Sequence, residues 1–530
     1  MAIPYEKLVE EDVNLGYGTV SVSMPAGGSA TGRKFGIHSL LGGSVLNPLN
    51  HGAVGDGVAS DSTALQSLLD LAAANRQTIW FPPGKIFKLT RGLIIPAYTQ
   101  ISGYGALLDA SSLAAGSVTQ VQSLVMQGSN NVGGEAAYIT IEGLTLVGNS
   151  KGSTIFIYGG SNTGSPTFAH KPHDITIRDV YTNQIGSTLT AGIEIASASR
   201  VLIDGHYNVG GVAAVSAVAP IATPDDLYGL TIVNSTSINT VSYGYQVVYG
   251  RHTKIANCFV DGTVMNLTDK NGINLDRTQS FTISGNIVQN CPAAQILANG
   301  CLYGTIVGNK VDGGAVGNGI LVTYNFDYLL DPTIDESSCI TVVGNIVDGT
   351  KAAGNAIGFY GVKASTIVGN AIGPSGAAAE EIYVGDAVRG DSHVEDSEGI
   401  SVVGNTLAIG AGTIHMAQAA TDCQVTGNVA SAYLGTYHDR VVNGVGGGLD
   451  FSNGVVMYRD AGTGVLTITA GLGVATSDEL QIGGALNHDG TTVGFYGVAP
   501  TTRQLFATGA GHTVDQLISV LQTLGLIRQS

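Results

Sequence analysis

Six copies of one short pattern run through the chain: TISGN at 282–286, TIVGN at 305–309, TVVGN at 341–345, TIVGN at 366–370, SVVGN at 401–405 and QVTGN at 424–428. Weaker copies precede them: TIEG ending at Gly143, TIRD at Asp179, LIDG at Gly205, TIVN at Asn234 and KIAN at Asn257. Counted between these end residues, the intervals are 36, 26, 29, 23, 29, 23, 36, 25, 35 and 23 residues. A unit of about 23 residues with insertions accounts for all of them. Each unit alternates β-branched with polar residues, then turns at Gly-Asn. Gly adopts the left-handed conformation without steric cost, and Asn tolerates it. A second strand follows in most units, for example GIEIAS from Gly192, GINLD from Gly272 and GILVTY from Gly319.

Strand, turn, strand, turn in so few residues is one coil of a parallel β-helix, hydrogen-bonded to the next coil at roughly 4.8 Å. A lone coil cannot bury its apolar side, whereas stacked coils share a continuous core of Ile, Val and Leu. The fold class expected is therefore all-β, a parallel β-helix solenoid, with the repeated Asn in a structural role.

Composition narrows the function. The chain has 530 residues, of which 76 are Gly and only 12% charged, while 44% are hydrophobic. High apolar content excludes disorder, and the glycines lack the three-residue period of collagen. With 23 Lys+Arg against 40 Asp+Glu the net charge is −17, the wrong sign for a nucleic-acid partner. The 5 cysteines lack CxxC pairs and nearby His ligands, so buried free thiols made in a reducing compartment are expected, with no metal and no cofactor. The start, MAIPYEKLVEEDV, has neither the basic nor the apolar region of a signal peptide, and no stretch is long and apolar enough for a membrane span.

The open end of a solenoid needs a cap. In HGAVGDGVASDSTALQSLLDLAAAN (51–75), Asp61 or Ser62 can cap a helix whose Leu65, Leu68, Leu69 and Ala72 share one face. The next stretch, TIWFPPGKIFKLTRGLIIPAYTQISGYG, reads as strands separated by the Pro82-Pro83-Gly84 turn. Gly52-Ala53-Val54-Gly55-Asp56-Gly57, Asp61-Ser62-Thr63, Phe81-Pro82-Pro83-Gly84 and Ile101-Ser102-Gly103-Tyr104-Gly105 resemble the N-terminal signature of the pectate-lyase-like right-handed β-helix superfamily. The similar branch includes phage tailspikes and other polysaccharide depolymerases. One departure is Ser62, where that family often carries a second Asp. The resemblance implies a right-handed helix, with Asp56 and Asp61 as turn and capping residues.

The flanks differ from the repeat. Residues 1–45 hold one alternating strand, Thr19–Ser23, and resemble the small virion-attachment region of tailspikes. The β-helix is expected over 46–440. Residues 441–530 are expected to form a C-terminal β module, from LTITAGLGV and ELQIGG, and a terminal helix. In that helix Val514, Leu517, Leu521 and Leu524 recur at heptad spacing over two heptads, so docking onto the β module competes with a short trimer-forming coil.

No nucleophile elbow, P-loop, HExxH or zinc spacing appears. What remains is carboxylates on a charge-poor surface. Three long insertions fall at one corner, before the Gly-Asn strand: 159–174, 325–338 (NFDYLLDPTIDESS) and 385–399 (GDAVRGDSHVEDSEG). The last two are two coils apart, so their bases lie roughly 9–10 Å from each other. The short coil between them, with Ile357 and Phe359 inward, leaves Tyr360 outward; Tyr383 follows one coil later.

An aromatic floor can stack on a sugar, and facing acids can hydrolyse a glycosidic bond. Asp327 and Asp386 at the loop starts, and Asp335, Glu336 and Asp396 near the ends, are the candidate catalytic acids. Tyr360 and Tyr383 are the candidate stacking residues. Solvated loops, a calcium site and plain surface packing are the alternatives. Glu194 and Asp276 point outward about three coils apart, as separate subsites or as solvated residues. His170 and His173 could make a metal pair or be ordinary loop residues.

Taken with the resemblance, these residues suggest a tailspike-like receptor-binding protein that hydrolyses a bacterial surface polysaccharide. The resemblance further implies a homotrimer on the phage tail, assembled in a host cytoplasm and joined to tail or baseplate proteins through residues 1–45. A non-catalytic adhesin or fibre of the same fold, and a polysaccharide lyase, are the rival readings.

Overall fold

The computed structural model describes residues 45–113, 121–160, 168–184, 186–220, 226–265, 270–312, 317–324, 336–348, 354–373, 380–388, 394–407, 413–417, 420, 422–429 and 432–435, and beyond these six short elements. Residues 1–44 of the expected attachment region (1–45), and ELQIGG (479–484), lie outside the described residues.

Each coil makes three strands. In one coil they are Ile193–Ala196, Ala198–Asp204 and Tyr207–Gly210; the sheets they join are called here sheets 1, 2 and 3. Between coils every strand pairs in parallel with its counterpart, for example Ile193↔Val215, Val201↔Leu230 and Tyr207↔Thr236. Among the described residues the ladders hold 13, 14 and 13 strands. The fold is the expected right-handed parallel β-helix.

Alternation sets the burial. Ile193 and Ile195 point inward and are fully buried, as are Ile357 and Phe359 further along. The corner from sheet 1 to sheet 2 takes one left-handed residue in short coils, such as Ser197, φ 64°. The corner from sheet 2 to sheet 3 is the Gly-Asn turn. There Gly takes the left-handed conformation, φ 61–64° at Gly285, Gly308, Gly344, Gly369, Gly404 and Gly427. The following Asn turns inside and is buried at every step from Asn286 to Asn428. Asn309 Oδ1 accepts from both the backbone N–H and Nδ2 of Asn286, each at 2.9 Å, and Asn428 does the same for Asn405 at 2.8 Å. The repeated Asn thus stand in register from coil to coil.

In the earlier coils the structure shifts the alignment by one. Asn234 and Asn257 carry the left-handed conformation, φ 53° and 54°, so they match the glycines. The buried ladder position is taken there by Ser235 and Cys258; the Cys258 N–H donates to Asn286 Oδ1 at 2.9 Å. Asn suits both places, a left-handed turn and a buried amide, which is why the strings align one residue out.

The cap is a helix, Ser62–Asn75, that buries Leu65, Leu68, Leu69 and Ala72. Asp61 stands at its N-cap but makes no side-chain cap hydrogen bond. Its carboxylate instead accepts from the N–H groups of Val54 (2.6 Å), Gly55 and Lys88 (3.2 Å), tying the incoming loop to a strand. The Ser62 hydroxyl accepts from the Thr90 N–H at 2.9 Å. Four cysteines are buried free thiols, but Cys339 is exposed, on a left-handed bulge at φ 57°.

The chain divides into two compact units, Met1–Ala470 and Gly471–Ser530. The first ends in an antiparallel meander, Gly448–Phe451, Val455–Arg459 and Leu466–Thr469. The second holds the pair Thr492–Val493 with Thr501–Thr502, and a helix, Val514–Thr523. Among the described residues no helix is long and apolar enough to cross a membrane.

Candidate functional site

Sheet 1 carries the candidate site on its outer face. All three long insertions lie between a sheet-1 strand and the following sheet-2 strand, at one edge of that face. A fourth, shorter insertion at the same corner, 219–226, was not legible as one in the sequence.

The floor between the second and third long insertions is built from two strands, Ile357–Tyr360 and Ile382–Gly385. Strand alternation turns Tyr360 and Tyr383 outward, as expected, and both are partly buried. They are not directly opposite: Tyr360 pairs with Gly385, and Gly358 with Tyr383. The rings therefore lie diagonally, centroids 4.7 Å apart and planes at 30°. The two glycines make this possible. A Cβ on Gly358 would stand 2.7 Å from the Tyr360 ring, and one on Gly385 would overlap the Tyr383 hydroxyl.

Groups from the opposite edge fix the rings. Asn355 Nδ2 donates to the Tyr360 hydroxyl at 2.5 Å. His415, next outward in the Tyr383 column, meets the Tyr383 ring edge-on at 5.2 Å. Its Nδ1 lies 2.5 Å from Glu380 Oε1. Burial pushes the Tyr360 phenol up to about 12, helped by Tyr383 and Glu380. Burial, then Asp386 and Glu380, also raise Tyr383. Both hydroxyls stay neutral and able to donate at physiological pH.

The expected acids divide. Asp327 and Asp335 lie outside the described residues. Glu336 pairs with Lys363 Nζ at 2.5 Å, which makes it an anchor of the loop's end. Asp386 directly follows the Tyr383 strand and is partly buried. Asp396 is exposed. It follows a hairpin in which Ala387–Val388 pairs with Val394–Glu395. Glu395 is only 8% exposed and packs against Gly361, where a Cβ would be 2.7 Å from its own.

Glu194 and Asp276 face outward on sheet 1, three strands apart and in neighbouring columns; the fold does not bring them together. Glu194 is not a solvated acid: Ser153 Oγ donates to its Oε2 at 2.6 Å, and burial raises its pKa above the usual range. Asp276 accepts from Nδ2 of Asn274 and Asn299, each at 2.7 Å. His173 bridges Asp174 (2.8 Å) and Glu135 (3.5 Å), and the Arg200 guanidinium holds Asp174 down to about 2. This is an ion-pair cluster, and among the described residues no three His, Cys, Asp or Glu converge as metal ligands.

Sequence reasoning missed Asn355, Glu380 and His415. His415 was within reach of the alternation rule, since it stands between inward Ile414 and Met416. Asn355 and Glu380 lie just before their strands and converge only when the coils stack.

Comparison with known proteins agrees with this architecture. The model of the family described as rhamnogalacturonase A/epimerase, pectate lyase-like, matches residues 45–319, just over half the chain. Mannuronan C5-epimerase AlgE6 of Azotobacter vinelandii is 25% identical over 209 residues, 36% of this chain and 23% of that protein. The matched segment thus spans under a quarter of that relative. Among solved structures, tailspike protein 3 of bacteriophage CBA120 is similar at TM-score 0.47 and 12% identity, covering 81% of this chain and 70% of that one. PfbA, a surface adhesin of Streptococcus pneumoniae, is similar at TM-score 0.44 and 15% identity, covering 81% and 99%. With its signature, coils and register in place, the chain belongs to the pectate-lyase-like rhamnogalacturonase A/epimerase family.

Proposed function

We propose that the chain is a tailspike-like receptor-binding protein that lays a bacterial surface polysaccharide along the outer face of sheet 1 and hydrolyses it. The observation that carries this reading is the floor itself: two crossed tyrosines facing outward where two acid-bearing insertions leave sheet 1, with a His–Glu pair on the next coil against the second ring. The exposed part of the Tyr383 ring stacks on the apolar face of a sugar, and the neutral phenols donate to its hydroxyls. Asp386 acts as one carboxyl of the hydrolytic pair, with a second from Asp327 or Asp335 of the other insertion or Asp396 of its own. Glu336 positions its loop through Lys363. Assembly as a homotrimer, with residues 1–45 toward the phage tail, belongs to the same reading and is supported by the N-terminal signature.

One observation favours a second reading. A carboxylate-oriented imidazole beside a phenol is a general-base arrangement, as a lyase needs for taking a proton from an acidic sugar. The net charge of −17 opposes it by repelling an anionic chain. Incubation with purified capsules, exopolysaccharides and O-antigens, followed by mass spectrometry of the products, separates the readings. Hydrolysis gives oligosaccharides that have gained one water per cut. An unsaturated terminal sugar replaces hydrolase with lyase, and intact polymer that co-sediments with the protein leaves an adhesin.

A further inference from the structure

The corner between sheets 2 and 3 carries a groove in the early coils. Counted from Tyr207 it lies six coils before the Tyr360 strand, roughly 29 Å along the axis. Its volume is about 390 Å³, and Tyr104, Gly143, Asp179, Tyr181, Gly205 and Tyr207 line it. Tyr181 and Tyr207 pair on neighbouring strands of sheet 3, with ring centroids 5.5 Å apart and planes at 12°. Tyr207 is 41% exposed. The Tyr104 ring covers Gly143, where a Cβ would stand 2.4 Å from it, and its hydroxyl donates to Asp179 Oδ2 at 2.9 Å. Asp179 Oδ1 faces Gly205, where a Cβ would be 2.6 Å away.

Stacking of the coils does not require these side chains. In the tyrosine column the flanking coils hold Thr145 and Thr236. In the corner column they hold Gly143 and Gly205, at φ 70° and 71°, and Asp179 takes the same left-handed backbone at φ 50°. Glycine adopts that backbone at less cost, so the carboxylate at 179 supplies something other than the turn. Glycine at 143 and 205 in turn leaves room for the Tyr104 ring and for the carboxylate.

We propose that this groove binds a neutral pyranose segment of a glycan, as an anchoring site separate from the notch on sheet 1. Tyrosine rings take the apolar C–H face of a sugar, and a carboxylate accepts strong hydrogen bonds from vicinal hydroxyls. Charge selects the occupant: Asp179 and a net charge of −17 repel uronic acids and phosphates. Shape selects it too. From Tyr104 to Tyr207 the groove runs over four coils, roughly 14 Å, longer than the single ammonium group that an aromatic cage encloses. The inference goes beyond hydrolysis at sheet 1 and does not rest on it.

Saturation-transfer difference NMR on the full chain tests this. The probes are maltose, cellobiose, lactose and mannobiose, with choline and galacturonic acid as cationic and anionic counter-probes. At least one neutral disaccharide should receive saturation at its ring C–H protons. Tyr181→Thr and Tyr207→Thr copy residues that the same column already holds, so far-UV circular dichroism should not change. Each should weaken the binding about tenfold or more. Asp179→Asn should weaken it too, while Tyr383→Thr on sheet 1 should keep it. Silence of all four disaccharides on the wild type overturns the groove, as does full binding by Tyr207→Thr or binding of a counter-probe in their place. A disaccharide lost only in Tyr383→Thr belongs to sheet 1; that result overturns the groove and leaves the sheet 1 reading standing. Nitration of the unmodified protein by tetranitromethane, read by mass spectrometry, gives a second readout: the bound disaccharide should protect Tyr207, and equal nitration with and without it refutes the assignment.

Discussion

Asn345 Oδ1 accepts from both the backbone N–H and the side-chain amide of Asn309, each at 2.9 Å, with both residues out of contact with water. The same pair of bonds joins Asn345 to Asn370, and Asn345 Nδ2 also reaches the Ile306 carbonyl at 3.0 Å. One side chain thus satisfies polar groups of three coils.

Asn345→Ala should therefore lower stability by at least about 2 kcal/mol, because a buried N–H, an amide and a carbonyl all lose a partner. Urea unfolding followed by circular dichroism measures it. An unchanged midpoint would show that the ladder is not a main support of the coil.

That repeat was legible because glycine and asparagine are forced at the turn by different causes, a left-handed backbone and a buried amide. The early coils blurred it, since Asn257 and Cys258 divide those two roles differently. The crossed tyrosines were half legible. Alternation put Tyr360 and Tyr383 outward, but the diagonal register, with Gly358 and Gly385 as beds for the rings, follows from how coils stack. Glu380 and His415 are 35 residues apart, and no short window of sequence holds both. Asp61 was rightly placed at a turn, yet its three backbone partners belong to segments on both sides of the helix it precedes.

Gly358→Ala and Gly385→Ala should displace the rings while leaving the fold intact. Either change should weaken polysaccharide binding about tenfold, roughly 1.4 kcal/mol, with the thermal midpoint moved little. Co-sedimentation with the bound polymer measures this; wild-type binding by both variants would show that the crossed rings are surface packing only.

His206 should make the protein acid-sensitive. It is 1% exposed, with Nε2 2.7 Å from Thr182 Oγ1, and burial depresses its pKa from the ordinary 6.5 to about 3. The folded pKa is the lower one, so stability is full above about 6.5, declines as pH falls toward 3, and is level below. For one such group the slope is about 1.4 kcal/mol per pH unit. His206→Asn puts an Asn at the ladder position, as the later coils have, and should flatten this slope between pH 6 and 4. Equal slopes in wild type and variant, by urea midpoints at each pH, would reject the assignment.

The central claim is that the notch on sheet 1 cuts a glycosidic bond, and the most direct measurement is the rate of oligosaccharide release by amide variants of its acids. Asp327→Asn, Asp335→Asn, Asp386→Asn and Asp396→Asn keep shape while removing charge and proton. Asp386→Asn and one other should each lower turnover by about 10²-fold or more, the scale of general acid–base catalysis, while polymer binding survives. Wild-type release rates from all four variants would contradict the account and move the chemistry away from this floor.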